Sequence, residues 1–339
     1  MKKFCIILLL VSLLKPFGGH SDELQMKNGS LLIGEVVSSE AGQLLFRTPF
    51  AGIIRVSSKN VLEVRTDKPV TIKMTDGTIY KDKLIVSSDQ GTAVRDKGEA
   101  PIFFKPGDVE LVNPDAWQLG EGYKWYGELN SAIGMERGNT DSDEFDFDFK
   151  SIWRSLHDRY TLSGIYGRDE SNGIRDKNQW RLGGKYDRFD YQDAENYFGV
   201  QLVFYQDDFA DLDLRTTVGP YIGRQFSESG LLTLSGEIGA VYVNEQFSLS
   251  EDGDFYGANW EVSITSDFIP KTELYAQQVG VINFDQIDGV LVDTVLGLRF
   301  PLIAGLRTAF EIKVEYDGGA VGDVEKLEHT YNFKLGYGW

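Results

Sequence analysis

From Tyr123 onward, apolar and polar positions alternate with a period of two. Phe145, Phe147 and Phe149 alternate with Asp146, Asp148 and Lys150, and Phe198, Val200, Leu202 and Phe204 with Gly199, Gln201, Val203 and Tyr205. Leu306, Thr308, Phe310, Ile312, Val314 and Tyr316 alternate with Arg307, Ala309, Glu311, Lys313 and Glu315. In an extended strand, alternate side chains occupy opposite faces. The pattern predicts about twelve strands, starting near residues 122, 141, 158, 177, 195, 212, 231, 254, 272, 288, 304 and 327. The connections alternate in length. Those around 155–157, 192–194, 227–230, 269–271 and 301–303 are short, and those at 168–176, 207–211, 244–254 and 317–325 are longer and acidic. Two on the longer side, near Gly138-Asn139 and 285–288, are shorter than that rhythm asks. A soluble sandwich would show the same alternation. Strands of about 9–11 residues or more can cross a tilted bilayer, and a charged, glycine-rich second face suits a watery lumen. The expectation is therefore an all-β chain with an antiparallel transmembrane barrel at 115–339, closed because lipid cannot satisfy an open sheet edge.

The preceding segment, 22–114, reads as one small β-unit written twice. Leu24-Gln-Met-Lys-Asn-Gly29-Ser matches Ile72-Lys-Met-Thr-Asp-Gly77-Thr, and Asn60-Val-Leu-Glu-Val64 matches Asp108-Val-Glu-Leu-Val112. Both matches are about 48 residues apart, as an internal repeat requires. Asn-Gly and Asp-Gly are hairpin turns, and strands are expected at 31–37, 43–48 and 52–56. The strand–turn rhythm is analogous to small Sm-like or SH3-like barrels, at the level of fold only. It suits a folded spacer or a protein-contact module.

The first residues are an address. Lys2 and Lys3 precede an apolar run, Phe4 to Leu14, that is too short for a bilayer-spanning helix of roughly 20 residues. Gly19-His20-Ser21 supplies small residues for cleavage after Ser21, so 1–21 reads as a secretory signal. The single Cys, Cys5, lies inside it, and the exported chain keeps no thiol.

Composition narrows the classes. The chain has 339 residues, with 34 Lys and Arg against 52 Asp and Glu, a net charge of −18 that would repel nucleic acid. One Cys and three His exclude a disulfide scaffold and argue against a zinc site. A mean hydropathy of −0.25 excludes a helical membrane bundle. With 21 Phe, 16 Tyr and 6 Trp the chain is too aromatic for disorder.

The last strand gives the sharpest signal. Tyr331, Phe333, Leu335, Tyr337 and Trp339 are apolar at every second position and finish on an aromatic, which resembles the signal read by the bacterial outer-membrane assembly machinery. The run Trp125-Tyr-Gly-Glu-Leu-Asn-Ser-Ala-Ile-Gly-Met-Glu-Arg-Gly138-Asn139-Thr140, the stretch from Tyr205 to Phe209 and Leu214 through Gly223 resemble the YdiY-like salt-induced outer-membrane proteins, whose barrel is a domain of unknown function. The resemblance covers about 120–339. It implies an outer-membrane barrel and a link to salt stress, and carries no catalytic residue.

Three kinds of chemistry are candidates. Asp169-Glu170-Ser171-Asn172-Gly173 resembles the His-x-Ser-Asn-Gly segment of outer-membrane phospholipases, with Asp169 where that family has His. Neither His157 nor His329 supplies the base at that spacing, so the segment reads better as a loop tip. The acids Asp141, Asp143, Glu144, Asp207, Asp208, Asp211 and Asp213 could take calcium through oxygen ligands but lack EF-hand spacing. If the apolar stripes face lipid, Glu128, Arg215, Asp293, Arg299, Arg307, Glu311, Lys313 and Glu315 face the lumen. About 8 strands fill a barrel and 16–18 leave a channel, so twelve give a narrow or occluded lumen. The expectation is a non-enzymatic envelope protein without cofactor or metal, tied to salt or osmotic stress, with a narrow solute pore as one form. The alternatives are a lipid-modifying enzyme and a module binding peptidoglycan or a periplasmic protein through 22–114. Outer-membrane lipid and lipopolysaccharide are the expected surroundings.

Overall fold

The computed structural model describes residues 21–40, 42–88, 91–96, 100–136, 142–190, 195–229, 231–269, 271–286, 289–318 and 326–339. The expected signal segment, Ser21 apart, and the connection at Gly138-Asn139 lie outside the described residues. The chain divides into two compact units, meeting between Pro114 and Asp115.

The first unit shows the repeat strand for strand. β1 (Asp22–Met26), β2 (Leu31–Glu40), β3 (Gln43–Thr48), β4 (Gly52–Ser57), a 3-10 turn and β5 (Val61–Arg65) are followed by β6 (Val70–Met74), β7 (Ile79–Ser88), β8 (Gly91–Arg95), β9 (Ile102–Phe103), a 3-10 turn and β10 (Val109–Val112). Gly29 and Gly77 occupy equivalent turn positions with φ of 86° and 84°, a region glycine enters without a Cβ penalty. In each turn the preceding acid or amide closes an Asx turn, Asn28 accepting from Ser30 N–H at 3.0 Å and Asp76 from Thr78 N–H at 2.8 Å. β1 pairs with β2 and β5, and β6 pairs with β7 and β10. Val112 of β10 also pairs with Ser39 of β2, which joins the copies. They share one core, in which Leu24 and its repeat equivalent Ile72 are both fully buried, as are Phe46 and Val94 to within 2%. Each such burial contributes about 1.5–3 kcal/mol.

The second unit is a closed antiparallel barrel, as the alternation predicts. Its strands are β11 (Lys124–Glu136), β12 (Ser142–Arg154), β13 (Asp158–Ser171), β14 (Ile174–Phe189), β15 (Asn196–Asp207), β16 (Leu212–Glu228), β17 (Leu232–Phe247), β18 (Gly253–Ile269), β19 (Thr272–Asn283), β20 (Leu291–Pro301), β21 (Leu306–Asp317) and β22 (Leu327–Gly338). Each pairs with the next, and β22 returns to β11. All twelve begin within three residues of the positions the alternation marks. The connection expected at 168–176 is a correction. β13 and β14 run past the apolar stripe and meet in a hairpin of Asn172 and Gly173, both at positive φ. Polar pairs hold that extension, with Lys177 bonding Asp146 at 2.9 Å. The connection at 284–290 is conversely longer than expected, because β20 starts only at Leu291.

The apolar stripes form the exterior. Trp125, Phe198, Ile222, Ile238, Tyr256, Leu296, Phe333 and Leu335 all stand outward and exposed. A water-soluble monomer rarely exposes apolar surface this continuous. Small residues let the wall close up. The Phe149 ring lies over Gly164 and the Trp260 ring over Gly280 on neighbouring strands, so close that a Cβ at either glycine would meet the ring at 2.3 and 2.0 Å.

Candidate functional site

The inward faces of the barrel carry long charged and phenolic side chains, and at the end of the short turns they fill the interior. Arg154 packs its guanidinium 3.7 Å from the centre of the Phe189 ring and bonds Glu228 through two nitrogens, at 3.1 and 2.9 Å. Trp117, in the 3-10 turn Ala116–Leu119 that precedes β11, lies 5.2 Å from the same guanidinium. Arg159 bonds Asp187 at 2.6 Å, and the Tyr221 hydroxyl donates to the other Asp187 oxygen. Lys185 donates to Glu237 and, at 3.0 Å, to Glu261. Tyr197 also donates to Glu237, at 2.9 Å, and Gln277 to Glu261 at 2.7 Å.

A second group continues this layer around the wall. Arg299 pairs with Glu128 at 2.7 Å and with Glu273, while Arg307 stands 3.8 Å from Glu128. Lys334 bonds Glu311 at 2.8 Å and Asp148 at 2.9 Å, Tyr275 donates to Glu311 at 3.0 Å, and Asn130 donates to Asp148 at 2.8 Å. Many of these pairs join strands that are not neighbours in the sheet, such as β14 with β18 and β20 with β11. They can only meet through the interior. Asp187 is 1% exposed and Arg154 3%, while the Arg307 side chain keeps 32% of its surface and Glu128 23%, so the floor is dry around Asp187 and Arg154 and part-buried elsewhere.

Glycines seat the phenols of this floor. The Tyr197 ring lies over Gly223, Tyr221 over Gly199 and Tyr275 over Gly297, each so close that a Cβ at the glycine would stand 2.1–2.4 Å from the ring. Each pair faces inward on adjacent strands, so glycine makes the room that lets a tyrosine lie flat and reach its carboxylate.

Above the floor, toward the longer connections, the lumen opens into a cup. Ile165 points inward between Asp148 and Arg181 in the strand register and is nevertheless 44% exposed. Arg181 faces Asp293 at 3.4 Å, Lys313 pairs with Glu315 at 2.6 Å, and Arg215 with Glu245 at 2.6 Å. These pairs are partly exposed, so the cup is wet.

Of the eight charges singled out from sequence, the structure brings Glu128, Arg299, Arg307 and Glu311 into the floor. It leaves Asp293, Lys313, Glu315 and Arg215 in the cup. Sequence reasoning missed Arg154, Arg159, Lys185, Asp187, Glu237, Glu261 and Lys334. The signal was available, because Lys185 and Asp187 share the polar parity of their strand with Gly183, opposite Leu182 and Tyr186. The five aromatic-stripe residues Tyr331, Phe333, Leu335, Tyr337 and Trp339 all face outward on β22 and beyond it. The Trp339 ring stands 5.6 Å from Trp125, which stacks on Trp153 at 6.3 Å.

Ser171 ends β13 at the hairpin tip, whereas His157 lies in the turn at the opposite end of that strand. Asp169, in the position of the phospholipase His, faces Lys177 at 3.6 Å. Of the acids weighed for calcium, Asp207, Asp208, Asp211 and Asp213 are engaged by nearby backbone and side-chain groups. Asp207 caps the 3-10 turn Asp208–Ala210, Asp211 accepts from Leu249 and Ser250 N–H, and Asp213 accepts from Ser248 at 2.5 Å. Asp141 lies outside the described residues, and among those described no cluster of acids, His or Cys has metal-binding geometry.

Among solved structures, the chain is similar to two outer-membrane proteins. A NanC porin structure shares 8% identity over 63% of this chain and 98% of its own, with a TM-score of 0.39. The outer membrane channel DcaP of Acinetobacter baumannii shares 9% identity over 94% of both chains, with a TM-score of 0.33. No curated protein matches the sequence. The family model described as "Protein of unknown function, DUF481" matches residues 131–339, and the chain belongs to that family.

Proposed function

We propose that this is an exported outer-membrane barrel with a non-enzymatic envelope role, and that it acts as a narrow solute pore held shut at one end. The chain enters and leaves the barrel at the short-turn end, as an even strand count requires of both ends together; in this reading that end faces the periplasm, with residues 22–114 in the periplasm and 1–21 removed on export. The observation that carries the proposal is the floor of cross-lumen ion pairs, above all Arg299 with Glu128 and Glu273 and Lys185 with Glu237 and Glu261. A purely structural barrel has no need of buried charges, whose desolvation costs several kcal/mol per ion. A latch made of them can be opened by a change in pairing. The salt-stress link gains a physical handle here, because pairs that border a wet cup weaken as ionic strength rises.

Planar-bilayer recordings on the full-length protein test this. Low conductance is expected for the native protein, and frequent larger openings for Arg299→Ala and Arg159→Ala. A large steady conductance of the native protein, or silence from every floor variant, would contradict a latched pore.

A further inference from the structure

The seam between β11 and β22 is half closed. Gly127 and Trp339 exchange both backbone bonds, at 3.2 and 3.1 Å, and pairing continues through Glu128–Gly338, Leu129–Tyr337, Asn130–Gly336 and Ser131–Leu335. There it ends, although β11 runs on to Glu136 and β22 reaches back to Leu327. The other junctions of the wall carry ladders about twice as long or longer, β11 with β12 from Lys124–Arg154 to Glu136–Ser142 and β21 with β22 from Leu306–Tyr337 to Tyr316–Leu327. Hydrogen-bonded pairs recur at every second residue of an antiparallel ladder. The backbone groups of Ile133 with Phe333, and of Met135 with Tyr331, would be the next to pair, and the ladder omits them.

The gap lies within the apolar band. Phe333 and Tyr331 stand outward beside it, 71% and 66% exposed, in line with Leu335 and Tyr337 below. Unpaired backbone in hydrocarbon costs several kcal/mol per group, so a strand edge at this depth must meet something polar. On its inner side is the wet cup. Ile165 lies in the same cross-strand row as Asn130 and Gly336, which flank the last paired residues, and it presents an exposed apolar surface inside the barrel. Around it the cup offers both signs of charge at short range, Arg181 with Asp293 and Lys313 with Glu315.

We infer that the β11–β22 gap is a lateral opening through which an amphiphile with a zwitterionic head and an acyl tail passes between the cup and the outer half of the bilayer. The head exchanges with the half-exposed ion pairs of the cup, the tail lies past Ile165 and leaves beside Phe333 and Tyr331, and the head's polar atoms meet the unpaired edge on the way. The opening rests on the membrane reading above and gives the pore its cargo class.

The test uses the full-length protein in phosphatidylcholine nanodiscs, with a photoreactive amino acid at position 162 or 165. Leu162 and Ile165 lie on one strand, facing outward and inward. Lipid adducts at both positions are expected, and the adduct at 165 should fall at least tenfold when Ile133→Cys and Phe333→Cys are joined as a disulfide. A disulfide between Leu129→Cys and Tyr337→Cys, where the seam is already paired, should leave it unchanged. An adduct at 162 with none at 165 would overturn the opening and leave the membrane reading intact. No adduct at either position would overturn both. Hydrogen exchange is a second measure: amides 331 and 333, which face β11, should exchange at least tenfold faster than 335 and 337. Equal protection, as an added strand from another chain would give, overturns the proposal.

Discussion

Arg299 on β20 holds Glu128 on β11 at 2.7 Å, although β21 and β22 lie between those strands along the wall. The pair therefore spans the interior, and it ties the first strand of the barrel to the tenth. Glu273 on β19 pairs with the same guanidinium.

Removing Arg299 leaves two carboxylates facing each other in a buried site. The Arg299 side chain is 11% exposed, and breaking a buried pair from one side costs about 3–5 kcal/mol. Arg299→Ala should lower the stability of the folded barrel by that order in urea titrations from lipid vesicles. The triple change with Glu128→Gln and Glu273→Gln should recover most of the loss.

The tyrosine–glycine seats predict a steric effect with no charge removed. Gly297→Val places a Cβ 2.1 Å from the Tyr275 ring, which must move and release Glu311. Overpacking of this kind costs about 1–3 kcal/mol. Gly184→Ala, where an added Cβ meets nothing within 4 Å, should be neutral in the same unfolding assay.

Trp339 supplies two of the few backbone bonds in the seam. Deleting it should weaken closure more than removing one residue from any other strand end. A folded form that migrates anomalously on gels before boiling is expected of the native barrel, and in the deletion variant it should be lost at a lower temperature.

In the first unit, hydrogen bonding from Lys68, with Arg47 beside it, holds the Glu35 carboxyl below its ordinary range. A carboxylate lowered in the folded state stabilises above its unfolded value of about 4.5, and the contribution fades as the pH falls through the lowered folded value. Glu35 is 40% exposed, so the effect is under about 1 kcal/mol and shrinks with salt. Glu35→Gln should flatten the acid limb of hydrogen-exchange protection in β2 and leave protection at pH 7 nearly unchanged.

Conductance as a function of salt probes the latch. A fixed hole conducts in proportion to ionic strength. A floor of ion pairs that loosens as screening grows predicts a steeper rise from 0.1 to about 1 M salt, where the Debye length falls from about 10 to 3 Å. Strict proportionality would count against it.

The wall was legible in the sequence because parity is a local property. Phe145, Phe147 and Phe149 announce their face without reference to any partner, and the repeat of Asn28-Gly29 at Asp76-Gly77 announces the two small β-units in the same way. The floor was not legible in its pairings. Glu128 and Arg307 could be placed inward from their own strands. That Lys185 meets Glu237 and Glu261, three and four strands away, depends on barrel closure and stagger, which no single segment encodes. The loop at 168–176 misled for a related reason. Polar composition reads as a turn, yet Arg168 and Lys177 extend the strands by pairing with Glu170, Asp146 and Asp169.

The most direct measurement follows β15 residue by residue. Single cysteines at Phe198, Val200 and Leu202 and at Gly199, Gln201 and Val203 would carry a fluorophore in vesicles whose acyl chains are brominated. An outward apolar stripe around a sealed cylinder predicts strong quenching at 198, 200 and 202 and little at 199, 201 and 203. Equal, weak quenching at all six, the result for strands buried between two stacked sheets in water, would contradict it.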